Sequence, residues 1–302
     1  MSDHAAIATA VPPSTAGLER APFERRALRS LVLTVGVWTA AVIAAVPLVS
    51  VLYLLILRGG SRLSVEALTS LPPAGFEMGG GFGNAIAGTV VMVGIAALIS
   101  VPVGVLAAVF LAELQPTSRL ARAARFAAKT LTGLPSVLAG VFAYAAVVLT
   151  TETYSAPAGG LALAVLMLPI VVLTAEEAIR AVPRITRDAA YGKGCTRSQV
   201  ASKVLLPTAL PGILTGVMLA VARAAGETAP LLFTALFSGF WLLEDGHVKL
   251  MQPTASLAVL IYNFSGMPFE NQIELAWAAS LVLVVMVLIV NVVSRLLGRP
   301  RA

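Results

Sequence analysis

Charge is scarce in this chain. Only 12% of its 302 residues are charged while 58% are hydrophobic, and the mean hydropathy is +0.90. A soluble domain is about 25% charged and about 45–50% apolar, so the shortage excludes an ordinary water-soluble fold. Cysteine is scarcer still. Cys195 stands alone, which excludes an intrachain disulfide, and beside Gly194 it reads as a small packing residue. The two histidines, His4 and His247, are far apart and lack ligand company, so no metal site is expected. A nucleotide-binding loop is also missing. Gly79, Gly80, Gly81 and Gly83 follow no strand and precede no Lys-Ser/Thr, and Gly192-Lys193-Gly194 has neither the spacing nor the hydroxyl of a phosphate-binding loop. Any ATP that drives this protein must therefore sit on another chain. No internal repeat is evident, whereas a transporter working alone usually carries a doubled fold.

What the chain does have is long apolar runs. A helix needs roughly 20 apolar residues to cross ~30 Å of hydrocarbon, and six stretches qualify: 31–57, 84–112, 133–150, 158–178, 208–240 and 272–296. The third is short and opens at Gly133-Leu134-Pro135; the fifth is long and interrupted. Only helices satisfy the backbone within such spans, so the expected fold is an all-α, polytopic bundle of about six spans in membrane lipid. Residues 1–22 read as a flexible tail rather than a signal peptide, because Asp3 and no basic residue precedes the apolar run. A first span and outer loop then occupy 23–83, the main transmembrane domain 84–296, and a second tail 297–302.

The net charge of +6 and pI near 9.9 would suggest nucleic acid in a soluble protein. Here the basic residues lie in short runs between spans, which fits membrane orientation and no nucleic-acid partner. Seventeen of them fall on one side: Arg20, Arg25, Arg26 and Arg29; Arg119, Arg122, Arg125 and Lys129; Arg180, Arg184, Arg187, Lys193, Arg197 and Lys203; Arg295, Arg299 and Arg301. The other side holds Arg58, Arg62 and Lys249, in outer loops at 58–83 and 241–271. Positive loops stay cytoplasmic, so both termini are expected inside.

Between spans four and five the chain reads Asp188-Ala189-Ala190-Tyr191-Gly192-Lys193-Gly194, then nine residues, then Val204-Leu205-Leu206-Pro207. Asp188 is placed to favour a helix N-terminus, and Gly194 to end that helix in the left-handed conformation. Thr196 and Gln199 have capping-box spacing for a second short helix, Val200 and Val204 share its face, and Pro207 is expected to stop it. These residues alone leave two readings open, a cytoplasmic connector or a docking element.

Span five contains Arg223-Ala224-Ala225-Gly226-Glu227-Thr228-Ala229-Pro230. Measured from Pro211, Arg223 would lie ~18 Å along the helix, deep in the core, where a lone charge costs at least ~2.5 kcal/mol. Glu227, four residues on, can pair with it. Pro230 removes the hydrogen bond to Gly226, so a kink is expected there. Either the pair only fixes packing, or it lines an anion path in which the guanidinium fork suits a tetrahedral oxyanion and Thr228 adds a hydroxyl donor.

Four segments resemble a known family. The loop is similar to the coupling loop of ABC importer permeases, Glu-Ala-Ala-x3-Gly-x9-Ile-x-Leu-Pro, matching at Ala189, Ala190, Gly194, Leu206 and Pro207, with Asp188 and Val204 as conservative departures. The run from Ala222 to Leu236 resembles the signature of the A-type permease of phosphate-specific ABC transporters. So do Leu166–Val172 with Glu176-Glu177, and Gly133-Leu134-Pro135-Ser136. The likeness covers roughly 84–295; the first span and tail match only in position. It implies a type I importer permease fold in a bacterial cytoplasmic membrane, with no enzyme activity or cofactor of its own. It further implies a related second permease, two ATPase subunits holding ATP and Mg, an extracytoplasmic phosphate-binding protein, and inorganic phosphate as cargo. In that family the loop docks into a groove on the ATPase. Other cargoes such as sulfate, molybdate or an amino acid would use the same loop.

Glu176 and Glu177 at the inner end of span four read as solvated or paired with Arg180, and Glu113 as a similar solvated end of span two. Trp38 and Trp277 read as packing or interfacial residues.

Overall fold

The computed structural model describes residues 25–244 and 246–297. The tails expected at 1–22 and 297–302 lie outside the described residues except for Leu297, the last residue of the final helix. The chain divides into two compact units, residues 1–53 and 54–302. The described part of the first unit is helical, within α1 (Arg25–Leu54), and mostly apolar.

In the second unit a π segment (Leu55–Gly59) leads into the single turn α2 (Gly60–Arg62). A short helix α3 (Val65–Thr69) follows, its N-terminus capped by Ser64 Oγ accepting from the Ala67 N–H. The long helix α4 (Gly83–Val109) passes into a second π segment, Phe110–Leu114. Then come α5 (Arg119–Thr132) and α6 (Ser136–Ala143). A third π segment (Tyr144–Val148) continues α6 into α7 (Leu149–Thr151). Helix α8 (Ala156–Arg180) is the most deeply buried span. Beyond it lie α9 (Arg184–Gly192) and α10 (Arg197–Val200). A fourth π segment (Ala201–Leu205) then joins α10 to α11 (Leu206–Ala225). The chain ends in α12 (Ala229–Leu232), a two-stranded hairpin of β1 (Leu243–Glu244) and β2 (His247–Val248), α13 (Leu257–Ser265) and α14 (Glu270–Leu297).

Five helices among the described residues are long and apolar enough to cross a membrane, and a sixth span requires a bent pair. Its second arm covers the expected third span, 133–150, and its first arm the expected basic loop. Arg119–Thr132 and Ser136–Thr151 meet at 106°, because Gly133-Leu134-Pro135 breaks the helix. The second arm, at 1.5 Å per residue, is only ~24 Å long. The expected fifth span also differs. The helix begins at Arg197, well before residue 208, and stops at Ala225 rather than reaching 240. Residues 226–240 turn back into the bundle, burying Leu231 and Ala235 in the core formed by α4, α8 and α11. The outer loop at 241–271 is likewise not all loop: α13 buries Leu257, Val259, Leu260 and Phe264. Thr89 Oγ1 accepts from the Leu257 N–H at 2.9 Å, and Asn84 Nδ2 donates to the Ser238 and Phe240 carbonyls. A polar atom at each contact satisfies backbone that has no water to turn to.

Pro207 does not stop a helix. The π segment just before it widens the turn, which accommodates both the missing N–H and the ring that would crowd the carbonyl four residues back. Small residues let the central helices approach closely, as expected where the hydrophobic effect does not drive helix association. A Cβ on Gly104 would stand 2.7 Å from Val171 Cγ1, and one on Gly160 would stand 2.5 Å from Ile95 Cγ2.

The tightest of these approaches is testable. A Cβ on Gly88 would lie 2.0 Å from the Ala255 carbonyl oxygen, whereas one on Gly94 meets nothing within 4 Å. Gly88→Ala should lower the unfolding temperature of the detergent-purified protein, in line with the ~1–3 kcal/mol cost of overpacking. Gly94→Ala should not lower it, since alanine is the better helix former and meets no neighbour there. Equal unfolding temperatures for the two variants would contradict this packing.

Candidate functional site

The loop between α8 and α11 folds as two short helices at a glycine corner. Helix α9 starts after Pro183, whose extended ψ of 138° sets the entry, so Asp188 lies in the second turn instead of at the N-terminus where it was expected. The helix ends in a Schellman motif. The Gly194 N–H donates to the Tyr191 carbonyl at 2.9 Å, and the Cys195 N–H to the Ala190 carbonyl at 3.2 Å. Gly194 has φ of +82°, the left-handed conformation this motif demands. Thr196 and Gln199 form the reciprocal capping box that opens α10. Cys195 is half-buried against the core. Asp188, Ala189, Gly194 and Pro207 are exposed, Ala190 is buried, and Leu206 is partly buried against the core.

The inner face of α9 meets a charge network that sequence reasoning misplaced. Glu113 is not a solvated end: its side chain is only 5% exposed. Tyr191 Oη donates to Glu113 Oε1 at 2.5 Å, and Arg187 Nε stands 3.1 Å from Oε2. Glu176 does pair with Arg180, at 2.8 Å, but it is buried and also binds Arg125 Nε at 2.6 Å. Arg125 spends its remaining donors on the Leu111 and Pro116 carbonyls, at 2.6 and 2.9 Å. Arg197 Nη1 reaches the Leu114 carbonyl at 3.3 Å. Of Arg125, Arg180, Arg187 and Arg197, only Arg180 is expected from the sequence to meet an acid. The contacts gather them at one end of the bundle, each against an acid or a carbonyl left free at a helix end. Beside them opens a cavity of about 820 Å³, lined in part by Glu113, Gln115, Arg187, Tyr191 and Arg197.

Arg223 lies in the last turn of α11, not in mid-span, because the continuous helix starts at Arg197 and stops at Ala225. The negative end of the helix dipole favours a cation there. Its Nε is 3.3 Å from Glu227 Oε1; the two side chains are 43% and 16% exposed. The N–H groups of Gly226 and Glu227 fold back onto the Arg223 and Ala224 carbonyls, at 3.1 and 3.3 Å. Thr228 is the N-cap of α12, and the buried Pro230 falls in its first turn. Helix α6 packs against this break, since a Cβ on Gly140 would come within 2.6 Å of Pro230 Cα.

A family model described as the binding-protein-dependent transport system inner membrane component matches residues 100–300, which take in the corner, the charge network and the break at Gly226. The chain belongs to this family. The phosphate transport system permease protein PstA of Yersinia pestis is 39% identical to this permease over 250 residues, covering 83% of each chain. PstA of Haemophilus influenzae is 40% identical over 248 residues, 82% of this permease and 85% of that protein. PstA 1 of Mycobacterium tuberculosis is 34% identical over 279 residues, 90% of each chain. Two solved transporters share the fold. The inward-facing MetNI methionine ABC transporter superposes with a TM-score of 0.57 at 20% identity, covering 72% of this permease and 92% of that chain. A bacterial alginate ABC transporter with its periplasmic protein superposes with a TM-score of 0.62 at 13% identity, covering 92% and 98%. The architecture is that of a multi-pass ABC importer permease.

The hydrogen bond from Tyr191 has a measurable consequence. Donation to the Glu113 carboxylate, together with burial, raises the phenol pKa above its ordinary value of 10.0. The neutral phenol is thus favoured in the folded state. Its contribution to stability is complete below about pH 10 and is lost as pH rises through the raised value. An ultraviolet pH titration should show one phenol ionising above the usual range, and Tyr191→Phe should abolish that transition. A titration unchanged by the substitution would contradict the contact.

Proposed function

We propose that this permease is a membrane-spanning subunit of an ATP-driven importer that carries inorganic phosphate into the cytoplasm. The observation that carries the reading is the segment from Arg223 to Pro230, which places a guanidinium at a broken helix end in a chain 34–40% identical to phosphate permeases. An arginine half-exposed at the end of an apolar helix cannot face lipid cheaply. An aqueous path shared with a second permease would meet it instead. There Arg223 offers a planar fork to the anion, Glu227 holds that fork when no anion is present, and Thr228 supplies a hydroxyl. The opening at Gly226 and Pro230 frees backbone groups for the substrate.

On this reading the exposed side of the loop, Asp188, Ala189 and Gly194, docks on one of two ATPase subunits that hold ATP and Mg. Ala190 and Leu206 tie the loop to the bundle, and Pro207 extends its exposed side. The remaining partners are a related permease and an extracytoplasmic phosphate-binding protein. Residues 84–296 form the importer domain, preceded by a first span and outer loop at 23–83, and both tails are cytoplasmic. The positive-inside rule supports this orientation, since the loops at 119–129 and 180–203 carry ten basic residues.

Reporter fusions at Lys193 and after Arg299 should be active only in the cytoplasmic format; a periplasmic signal from either would overturn the orientation. Substitutions in the ion pair test the pathway itself. Arg223→Gln keeps size and hydrogen bonding but removes charge, and should assemble normally yet lose phosphate uptake. Glu227→Gln should be milder, because Arg223 stays available. A pair that served only packing would give the reverse pattern: each single change harms assembly by leaving a charge unpaired, and the double neutral variant recovers. Uptake restored in the double variant would reject the pathway role.

A further inference from the structure

Buried carboxylates in a membrane protein need a reason. Glu176 is occupied by two arginines from its own end of the bundle. Glu113 is different, because both its oxygens are engaged by another element, the helix α9. It sits in the π segment Phe110–Leu114, which ends the 32-residue span Gly83–Leu114. Tyr191 and Arg187 are four residues apart and therefore on one face of α9, and both point at this one carboxylate. The opposite face of the same helix carries Asp188, Ala189 and Gly192, all exposed. Helix α9 thus has one face turned to solvent and one clamped to the foot of the second span.

The foot itself is held from several sides. The π turn disturbs the regular ladder of carbonyl acceptors. The Leu111 carbonyl accepts from Arg125, and the Leu114 carbonyl from Arg197 at the start of α10. Two residues of α9 and one of α10 therefore grip a five-residue stretch at the end of α4. Helix α4 in turn packs along α8 closely enough that Gly104 admits no side chain against Val171. A displacement of the corner at Gly194 has a rigid, charged route into the second span.

From this geometry we infer that Glu113 is a positioning residue that transmits movement of the coupling loop to the second span. The inference rests on the reading of α9 and α10 as the coupling loop. When the loop is pushed or drawn by its ATPase, Arg187 and Tyr191 carry Glu113, and with it the end of α4. Coupling is then lost by cutting the clamp, even where the loop still docks and the ATPase still turns over. A role in stability alone would lower the yield of complex without changing the phosphate moved per ATP consumed.

The test uses the complex purified through this chain and reconstituted in vesicles, with phosphate uptake and ATP hydrolysis measured together. In Glu113→Gln the amide still accepts from Tyr191 but no longer neutralises Arg187. Phosphate moved per ATP should fall about tenfold, within the range of ordinary coupling free energies, while hydrolysis persists. Glu113→Asp, which keeps the charge, should recover part of the ratio. If Glu113→Gln does not assemble, Tyr191→Phe removes a single hydroxyl and should lower the same ratio; a wild-type ratio there overturns the inference. Gly194→Val, which forces a β-branched residue into a positive φ, separates the two levels. A lowered ratio in Gly194→Val with an unchanged ratio in Glu113→Gln would reject the role of Glu113 and leave the coupling loop standing. Unchanged ratios in both would reject the coupling loop as well.

Discussion

Inside hydrocarbon a polar group has no water as a fallback, so every charge and every freed carbonyl must find its partner within protein. In this permease that demand shapes the end of the bundle where the basic loops meet. Glu113 and Glu176 are buried, and each is met by two partners: Tyr191 and Arg187 for the first, Arg125 and Arg180 for the second. Arg125 continues to the Leu111 and Pro116 carbonyls. Removing one partner from such a set leaves an uncompensated charge, which costs far more than an ordinary surface pair contributes. The loop between α8 and α11 is therefore a fixed part of the transmembrane body as well as a connector, although its outer face is free.

The same constraint operates at the other charged position. Arg223 ends a helix instead of interrupting one, and Glu227 lies just beyond the break. Terminating α11 there places the guanidinium beside carbonyls at the negative end of the helix dipole. Gly226 and Pro230 make termination inexpensive, since glycine is a poor helix former and proline suits the first turn of the next helix. Charge, break and close approach of α6 at Gly140 thus coincide within a few residues.

Local features were legible in the sequence because their causes are local. The long apolar helices follow from composition, and the left-handed Gly194 with its neighbouring capping box follows from turn chemistry and spacing. The failures have physical reasons too. Asp188 lies mid-helix because Pro183 starts α9 earlier, and Pro207 is absorbed by a π segment that no residue pattern announces. Glu113 reads as a solvated end because its partners are remote in sequence, 78 residues away for Tyr191, and Glu176, whose pairing with Arg180 is local and expected, has its second partner Arg125 51 residues away. The return of residues 226–240 into the bundle, and the burial of α13, depend on tertiary packing that hydropathy does not encode. Both lie where apolar composition alone suggests a longer span or a plain outer loop.

Function, on the proposed reading, joins these two polar centres: a loop gripped at the foot of the second span, and an arginine at the break in the fifth. The most direct measurement is uptake of radiolabelled phosphate by vesicles holding the complex purified through this chain, with ATP supplied on the face of the coupling loop and phosphate with its binding protein on the other. Uptake that needs ATP hydrolysis and the binding protein, and that prefers phosphate to sulfate, is the expected result. Phosphate movement that proceeds equally without ATP, or hydrolysis-driven uptake of another solute with none of phosphate, would contradict it.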